Sequence, residues 1–260
     1  MKSLKKLAVV LMALTMLFAL AACGEKEEEK QTITFGTSAD YAPFEFHTMV
    51  NGTDTIVGAD IDLIEKLAAD LGVNYEIKDI SFDVLLNELQ NGTIDVVIAG
   101  MAANEERTQQ ADASDVYYDA EYQRLCILKS NADKYKTFDD FEGVKVAAQT
   151  GTIQIGLAEE NLHGCDLVTL QAVPDIFNNL MNGKVEAALV DGNVGDGYIA
   201  QNDELTFVDL EWPPVDGMAV WVQKGDPKGL METINKTIAS IKESGDYYKW
   251  VEAAQELAGE

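Results

Sequence analysis

The segment Leu89–Gly100, LQNGTIDVVIAG, aligns without a gap on Leu180–Asp191, LMNGKVEAALVD, at an offset of 91 residues. In each copy a stretch at helical spacing ends at Asn-Gly, a pair suited to a left-handed helix cap. One residue later come Ile or Val, an acidic residue, and four mainly apolar positions. The repeat predicts two similar α/β lobes rather than one continuous sheet. The surrounding pattern agrees. TITFGT (32–37), VNYEIKDI (73–80) and IDVVIAG (94–100) read as strands, while ADIDLIEKLAADLG (59–72), apolar at 61, 64, 68 and 71, and FDVLLNELQNG (82–92) read as helices. The second half repeats the theme with VKVAAQ, TIQIGLAEENL, DLVTLQ, PDIFNNLMNG and VEAALVD, and the C-terminal stretch is helical with a break near Ser244-Gly245. Alternation of this kind predicts parallel sheets covered by helices.

Ligands of open parallel sheets bind outside the carboxyl ends of the strands. Two lobes facing each other then enclose one cleft, and the strand-end residues become the candidates. These are Ser38 to Phe44, Gly100 to Arg107, Gln149 to Thr152, and Asp191. The repeat places Gly100 and Asp191 at equivalent positions. Only two of the 19 basic residues are arginine, and Arg107 is one of them, directly after Glu105 and Glu106. Taken singly it is a surface ion pair worth at most ~1 kcal/mol, and Asp191 is a helix N-cap. Taken together they supply a cation and an anion across one gap, which suits a zwitterion.

Charge and the N-terminus bound the function class. With 45 acidic residues and a formal net charge of −26, the surface repels phosphate backbones, which argues against nucleic-acid binding. His47 and His163 have no cysteine or histidine at ligand spacing, so no zinc site and no cofactor is expected. Lysines at 2, 5 and 6 precede a 16-residue apolar run from Leu7 to Ala22, short for a membrane span but suited to a signal peptide over 1–22. LAAC, ending at Cys23, resembles a bacterial lipobox, in which cleavage precedes a cysteine that then carries the lipid. The acidic stretch 23–31 reads as a solvated tether, since so charged a segment cannot bury apolar surface. The expected address is extracytoplasmic, lipid-anchored to the bacterial cell membrane. Cys126 and Cys165 are expected as free thiols.

GTSADYAPFEF with GADIDLIEKLAADLG resembles the first signature of the polar amino-acid binding proteins of ABC importers, the extracellular solute-binding protein family 3. FDVLLNELQNGTIDVVIAGMAANEERTQQADASDVYY resembles the second, and the likeness continues through VKVAAQTGT and ALVDGNVGDGY to AVWVQKGD. The resemblance implies an α/β type II periplasmic-binding-protein fold, two α/β lobes with a ligand cleft between them. Lobe one would comprise 31–117 and 218–260, lobe two 122–213, with hinge crossovers near 118–121 and 214–217. It implies a monomer that binds a free amino acid, without catalysis, and delivers it to permease subunits.

Carried over by position, Arg107 matches the arginine that clamps the ligand α-carboxylate through paired hydrogen bonds that lysine cannot imitate. Thr152 and the backbone of Ala102 join it there, Thr152 opening a predicted helix whose N–H groups favour an anion. Asp191 and the carbonyl of Gly100 match the acceptors of the α-ammonium. Ser38, Tyr41, Phe82 and Gln149 match the walls around the ligand side chain. The chain departs from the pattern at Ser38, where the family often has Asp, at Ala102, where it has Thr or Ser, and at Gln149, where some members have Lys. Polar uncharged ligands are therefore expected first and basic ones second, with Asp40 or Glu45 as substitutes for the missing carboxylate. Two rival readings are an enzyme of the cyclohexadienyl dehydratase type, with Glu45 or Asp40 as its acid, and a ligand-sensing ectodomain.

Overall fold

The computed structural model describes residues 30–119 and 122–259. The expected signal peptide and Cys23 lie outside the described residues, as do most of the tether and Ala120-Glu121 within the first expected crossover. The first sheet has the strand order β5 (Asn74–Asp79), β1 (Thr32–Thr37), β6 (Val96–Val97), β13 (Met218–Gln223), β7 (Ala111–Tyr118). The second has the order β10 (Asp166–Leu170), β9 (Lys145–Gln149), β11 (Ala187–Asp191), β8 (Gln123–Leu128), β12 (Leu205–Val208). Strand for strand the two orders correspond, and β6 and β11, the strands of the sequence repeat, occupy the same central place.

Neither sheet is purely parallel, which corrects the sequence expectation. β1 runs parallel to β5 and β6, and β9 parallel to β10 and β11. β13, however, is antiparallel to β6 and β7, and β8 is antiparallel to β11 and β12. The cause is topological. Each antiparallel strand is the first one laid down after the chain passes from one sheet to the other, between Tyr118 and Gln123 and again between Val208 and Met218. The two passages lie side by side. A Cβ on Gly217 would stand 2.4 Å from Val116 Cγ1 and 2.7 Å from the Tyr118 carbonyl. A third, three-stranded sheet, β2 (Asp40–Tyr41), β3 (Glu45–Val50) and β4 (Thr53–Val57), rises from the loop after β1.

Helices cover the sheets as the apolar periodicity predicts. α1 (Ala59–Leu71) buries Ile61, Leu63, Ile64 and Leu67 against Ile33 and Phe35, and ends on Gly72 in the left-handed region. The next helical stretch begins as a 3-10 turn at Phe82–Val84 before α2 (Leu85–Asn91), which buries Leu85 and Leu89 against Val97 and Trp221 on the other face. α3 (Glu105–Gln110) is short, and its N-cap Asn104 accepts the Arg107 N–H at 2.8 Å. In the second lobe α4 (Ile153–Asn161) and α5 (Val173–Met181) flank the sheet, and α6 (Gly192–Gln201) follows β11. α7 (Met231–Ser244) and α8 (Asp246–Ala258) break at Gly245 as expected and pack on α1, with Ile234, Ile238 and Ile241 buried. This frame brings the ends of β1, β6, β9 and β11 to one place.

Candidate functional site

Arg107 is held by backbone alone. Its Nη1 donates to the Ala102 carbonyl at 2.7 Å and its Nη2 to the Gly151 carbonyl, in the other lobe, at 3.0 Å. The guanidinium carbon lies 5.4 Å from the centre of the Phe82 ring, and the residue is only 7% exposed. Burial lowers its pKa to about 10, so it stays cationic at neutral pH. Among the described residues no ion pair involves Arg107, although Glu105 and Glu106 are its chain neighbours. A buried guanidinium with no carboxylate is costly unless something anionic meets it.

Asp191 presents the complementary case. It ends β11 and caps α6, accepting the Asn193 N–H at 3.0 Å, and is 3% exposed. Burial, with no cation beside it, pushes its pKa up to about 7. Its counterpart in the repeat, Gly100, has φ 56° and lies under Tyr41. A Cβ there would stand 3.1 Å from the Tyr41 ring, so both backbone conformation and space demand glycine. Tyr41 in turn stacks on Phe44, ring centres 5.7 Å apart.

Opposite Arg107 the wall is organised around a carboxylate. Asp40 accepts from Ser38 Oγ at 3.2 Å, from Gln149 Nε2 at 3.1 Å, and from the Val173 N–H at 3.1 Å. Ser38 belongs to the first lobe, whereas Gln149 and Val173 belong to the second, so Asp40 bridges them. Its pKa is raised, chiefly by burial, with the Val173, Gln149 and Ser38 hydrogen bonds working against that shift. Thr152 sits at the N-cap of α4, but its hydroxyl donates to the Gln149 carbonyl at 2.8 Å. The donors left for an anion at this end are the Ile153 and Gln154 N–H groups of the first turn of α4, since the Ile155 N–H already donates to the Thr152 carbonyl at 3.3 Å.

One cavity is walled by all nine residues expected at the ligand: Ser38, Tyr41, Phe82, Gly100, Ala102, Arg107, Gln149, Thr152 and Asp191. The wall also contains Asp40 and Glu45, named earlier only as substitutes, and residues the sequence reading passed over, among them Gln123, Gln154 and Met218. Gln154 donates to Gln123 at 2.8 Å, closing the side of the cavity. No local signal marks that pair, since the two meet only through the fold. Farther out, the cleft mouth carries Asp83, Glu106, Glu159, Glu160 and Asp216, an acidic rim. The arrangement can hold a zwitterion, with one buried cation, buried carboxyls and no nucleophile–base pair.

Known proteins resemble this chain in sequence and fold. The chain is 31% identical over 254 residues to the arginine-binding extracellular protein ArtP of Bacillus subtilis (strain 168), covering 95% of this chain and 96% of that protein. It superposes with a TM-score of 0.84 on the amino acid ABC transporter substrate-binding protein AbpA from Streptococcus pneumoniae Canada MDR_19A bound to L-arginine. The two are 34% identical, over 88% of this chain and 96% of that one. An ancestral arginine-binding protein bound to glutamine matches with a TM-score of 0.78 at 34% identity, covering 89% and 99% of the two chains. These relatives are binding proteins rather than enzymes. With residues 33–253 matching its profile, the chain belongs to the bacterial extracellular solute-binding proteins, family 3.

Proposed function

We propose that the cleft captures one free L-amino acid with a basic side chain, L-arginine foremost, for delivery to the permease of an ABC importer. The observation that carries this reading is the charge of the cavity wall. It contains one cation, Arg107, and three carboxyl side chains, Asp40, Glu45 and Asp191. Arg107 with the N-terminus of α4 takes the α-carboxylate, and Asp191 with the Gly100 carbonyl takes the α-ammonium. Tyr41 and Phe82 flank the side chain, whose far end meets Asp40. Ser38 and Gln149, which in sequence suggested a polar uncharged ligand first, both donate to Asp40 and so hold a carboxylate in place. A second cation on the ligand answers that carboxylate. The acidic rim favours the same charge, within the roughly 8 Å reach left by physiological salt. The arginine-binding relatives support it, and the ancestral protein bound to glutamine keeps a neutral polar ligand as the second reading.

In this reading the lobes are 31–117 with 218–260, and 122–213. They close by hinging near 118–121 and 214–217, because ligand contacts from both lobes exist together only when closed. Cys23 carries the lipid that keeps the receptor at the membrane. A thermal-shift screen of the soluble domain against free amino acids tests the ligand class. Saturation at 100 times Kd stabilises by ~2.7 kcal/mol, a rise of several degrees at ~2–4 °C per kcal/mol. Arginine is expected to give the largest shift. A larger shift with a neutral amino acid and none with arginine removes the basic reading, and no shift with any amino acid removes the whole proposal. Incorporation of labelled palmitate, lost in Cys23→Ser, is the expected sign of the anchor.

A further inference from the structure

Glu45 is the cavity-wall carboxyl that the clamp above leaves without a ligand contact. It is completely buried, it opens β3, and neither of its carboxyl oxygens meets a hydrogen-bond donor of the described residues. Its neighbour is the equally buried Asp60, whose negative charge bears on it. Asp60 is well supplied otherwise. It accepts the Gly100 N–H at 2.7 Å, the Tyr117 hydroxyl at 2.9 Å and the Tyr247 hydroxyl at 2.5 Å. A carboxylate has about four acceptor positions, so Asp60 has one left.

Two neighbouring carboxyls in a dry site do not readily both ionise. The three donors keep the charge on Asp60, and the proton falls to Glu45, which has no donor to stabilise an anion. Burial first, and then the charge of Asp60, push the Glu45 carboxyl well above the usual range. The other titratable groups that face this cluster are Asp40, Asp79, Tyr41, Tyr117 and Tyr247, and none is a cation. The neutral acid can turn its O–H toward Asp60, which leaves its carbonyl oxygen unused.

The position of that oxygen suggests its partner. Glu45 pairs across the small sheet with Tyr41, the residue that covers Gly100 and feels the charges of Asp191 and Glu45 together. Asp60, the neighbour of Glu45, also holds the Gly100 N–H. Glu45 thus belongs to the end of the cavity assigned to the α-ammonium. An ammonium group has three N–H donors, and Asp191 and the Gly100 carbonyl account for two.

We propose that Glu45 stands in the cleft as a neutral acid, donating a hydrogen bond from its hydroxyl to Asp60 and offering its carbonyl oxygen to the ligand α-ammonium as the third acceptor. This rests on the amino-acid reading of the site and is independent of the ligand side chain. Asp60 is then a positioning residue, fixing both Glu45 and the Gly100 turn.

The test is titration calorimetry with L-arginine and L-glutamine on wild type, Glu45→Leu and Glu45→Gln. Leucine removes the acceptor, and affinity is expected to fall about tenfold or more, the range for a hydrogen bond to a charged group, by a similar factor for both ligands. Glutamine supplies an N–H for Asp60 and a carbonyl for the ammonium, and restores most of the loss. If Glu45→Gln is as weak as Glu45→Leu, the side chain acts as an ionised counter-ion and the proposal is wrong. If Glu45→Leu binds like wild type, Glu45 does not touch the ligand, and the proposal is equally wrong. Infrared difference spectra of the wild type, which need no variant to fold, give an independent check. Above the Asp191 value of about 7, a protonated-carboxyl band is expected, and it should shift when arginine is added. Absence of that band overturns the proposal. Should the wild type bind neither ligand while another amino acid raises its melting point, that amino acid becomes the calorimetric probe. Binding of no amino acid at all defeats the reading of the site, and this inference with it.

Discussion

At the scale of single residues, the site turns on two buried groups, Arg107 and Asp191, that have no oppositely charged partner among the described residues. Arg107 offers its guanidinium to backbone carbonyls in both lobes and to no carboxylate. Replacing it with lysine keeps the charge but loses the planar fork, so amino-acid affinity is expected to drop about 10- to 100-fold, from charge-assisted bonds worth ~1.5–3 kcal/mol. Calorimetry of Arg107→Lys measures this, and wild-type affinity would sink the paired-bond clamp. Asp191 makes a pH prediction. Its folded pKa, about 7, lies above the ordinary 3.8, so the folded protein binds more protons than the unfolded chain between those values. Stability of the free protein therefore falls as pH rises through that window. Binding an ammonium needs the ionised form and reverses the preference. Affinity should climb with pH, by at most about tenfold per unit for one proton, and flatten above about 7. Asp191→Asn should bind weakly with a flat profile over the same range, and an unchanged slope in that variant would assign the titration elsewhere.

At the scale of elements, the turn after β6 is where local backbone and site chemistry meet. Gly100 has φ 56° beneath the Tyr41 ring, and its N–H is fixed by Asp60. Gly100→Ala forces an L side chain into the left-handed region, at a cost of about 1–2 kcal/mol, and crowds the ring besides. The melting point should fall by several degrees, at ~2–4 °C per kcal/mol, and calorimetric binding should weaken in the same variant. A variant with wild-type melting and affinity would mean that the turn relaxes freely. This element was legible in sequence because its signals are local: an Asn-Gly cap, a short apolar run, then glycine. β1, α1 and the break at Gly245 were legible for the same reason. The direction of β8 and β13 was not. Met218–Gln223 pairs with Ala111–Tyr118, far back along the chain, and apolar alternation says nothing about which way a neighbour runs. Asp40 entered the sequence reading only within the range Ser38 to Phe44 and as a substitute carboxylate, for a like cause. Nothing in SADYAP marks it, and its role comes from Gln149 and Val173, 109 and 133 positions away.

At the scale of the whole molecule, those long-range partners make Asp40 a joint between lobes as well as the proposed partner of the ligand side chain. Its carboxylate, from the first lobe, accepts the Val173 N–H, which belongs to the first turn of α5 and has no partner within that helix. The same carboxylate takes Gln149 Nε2. Opening the cleft exchanges both bonds for water, at ~0.5–1.5 kcal/mol each. Asp40→Ala should therefore shift the closure equilibrium toward the open form by about tenfold, the factor that corresponds to 1.4 kcal/mol. Small-angle scattering of the ligand-free variant is expected to give a larger radius of gyration than the wild type. Saturating ligand should still close the variant, because Arg107 and Asp191 remain, but at a higher concentration. That displacement should be larger for arginine than for glutamine, since only arginine also loses its side-chain carboxylate. An equal loss for both would make Asp40 a latch alone, and a loss for arginine with unchanged scattering would make it a ligand contact alone.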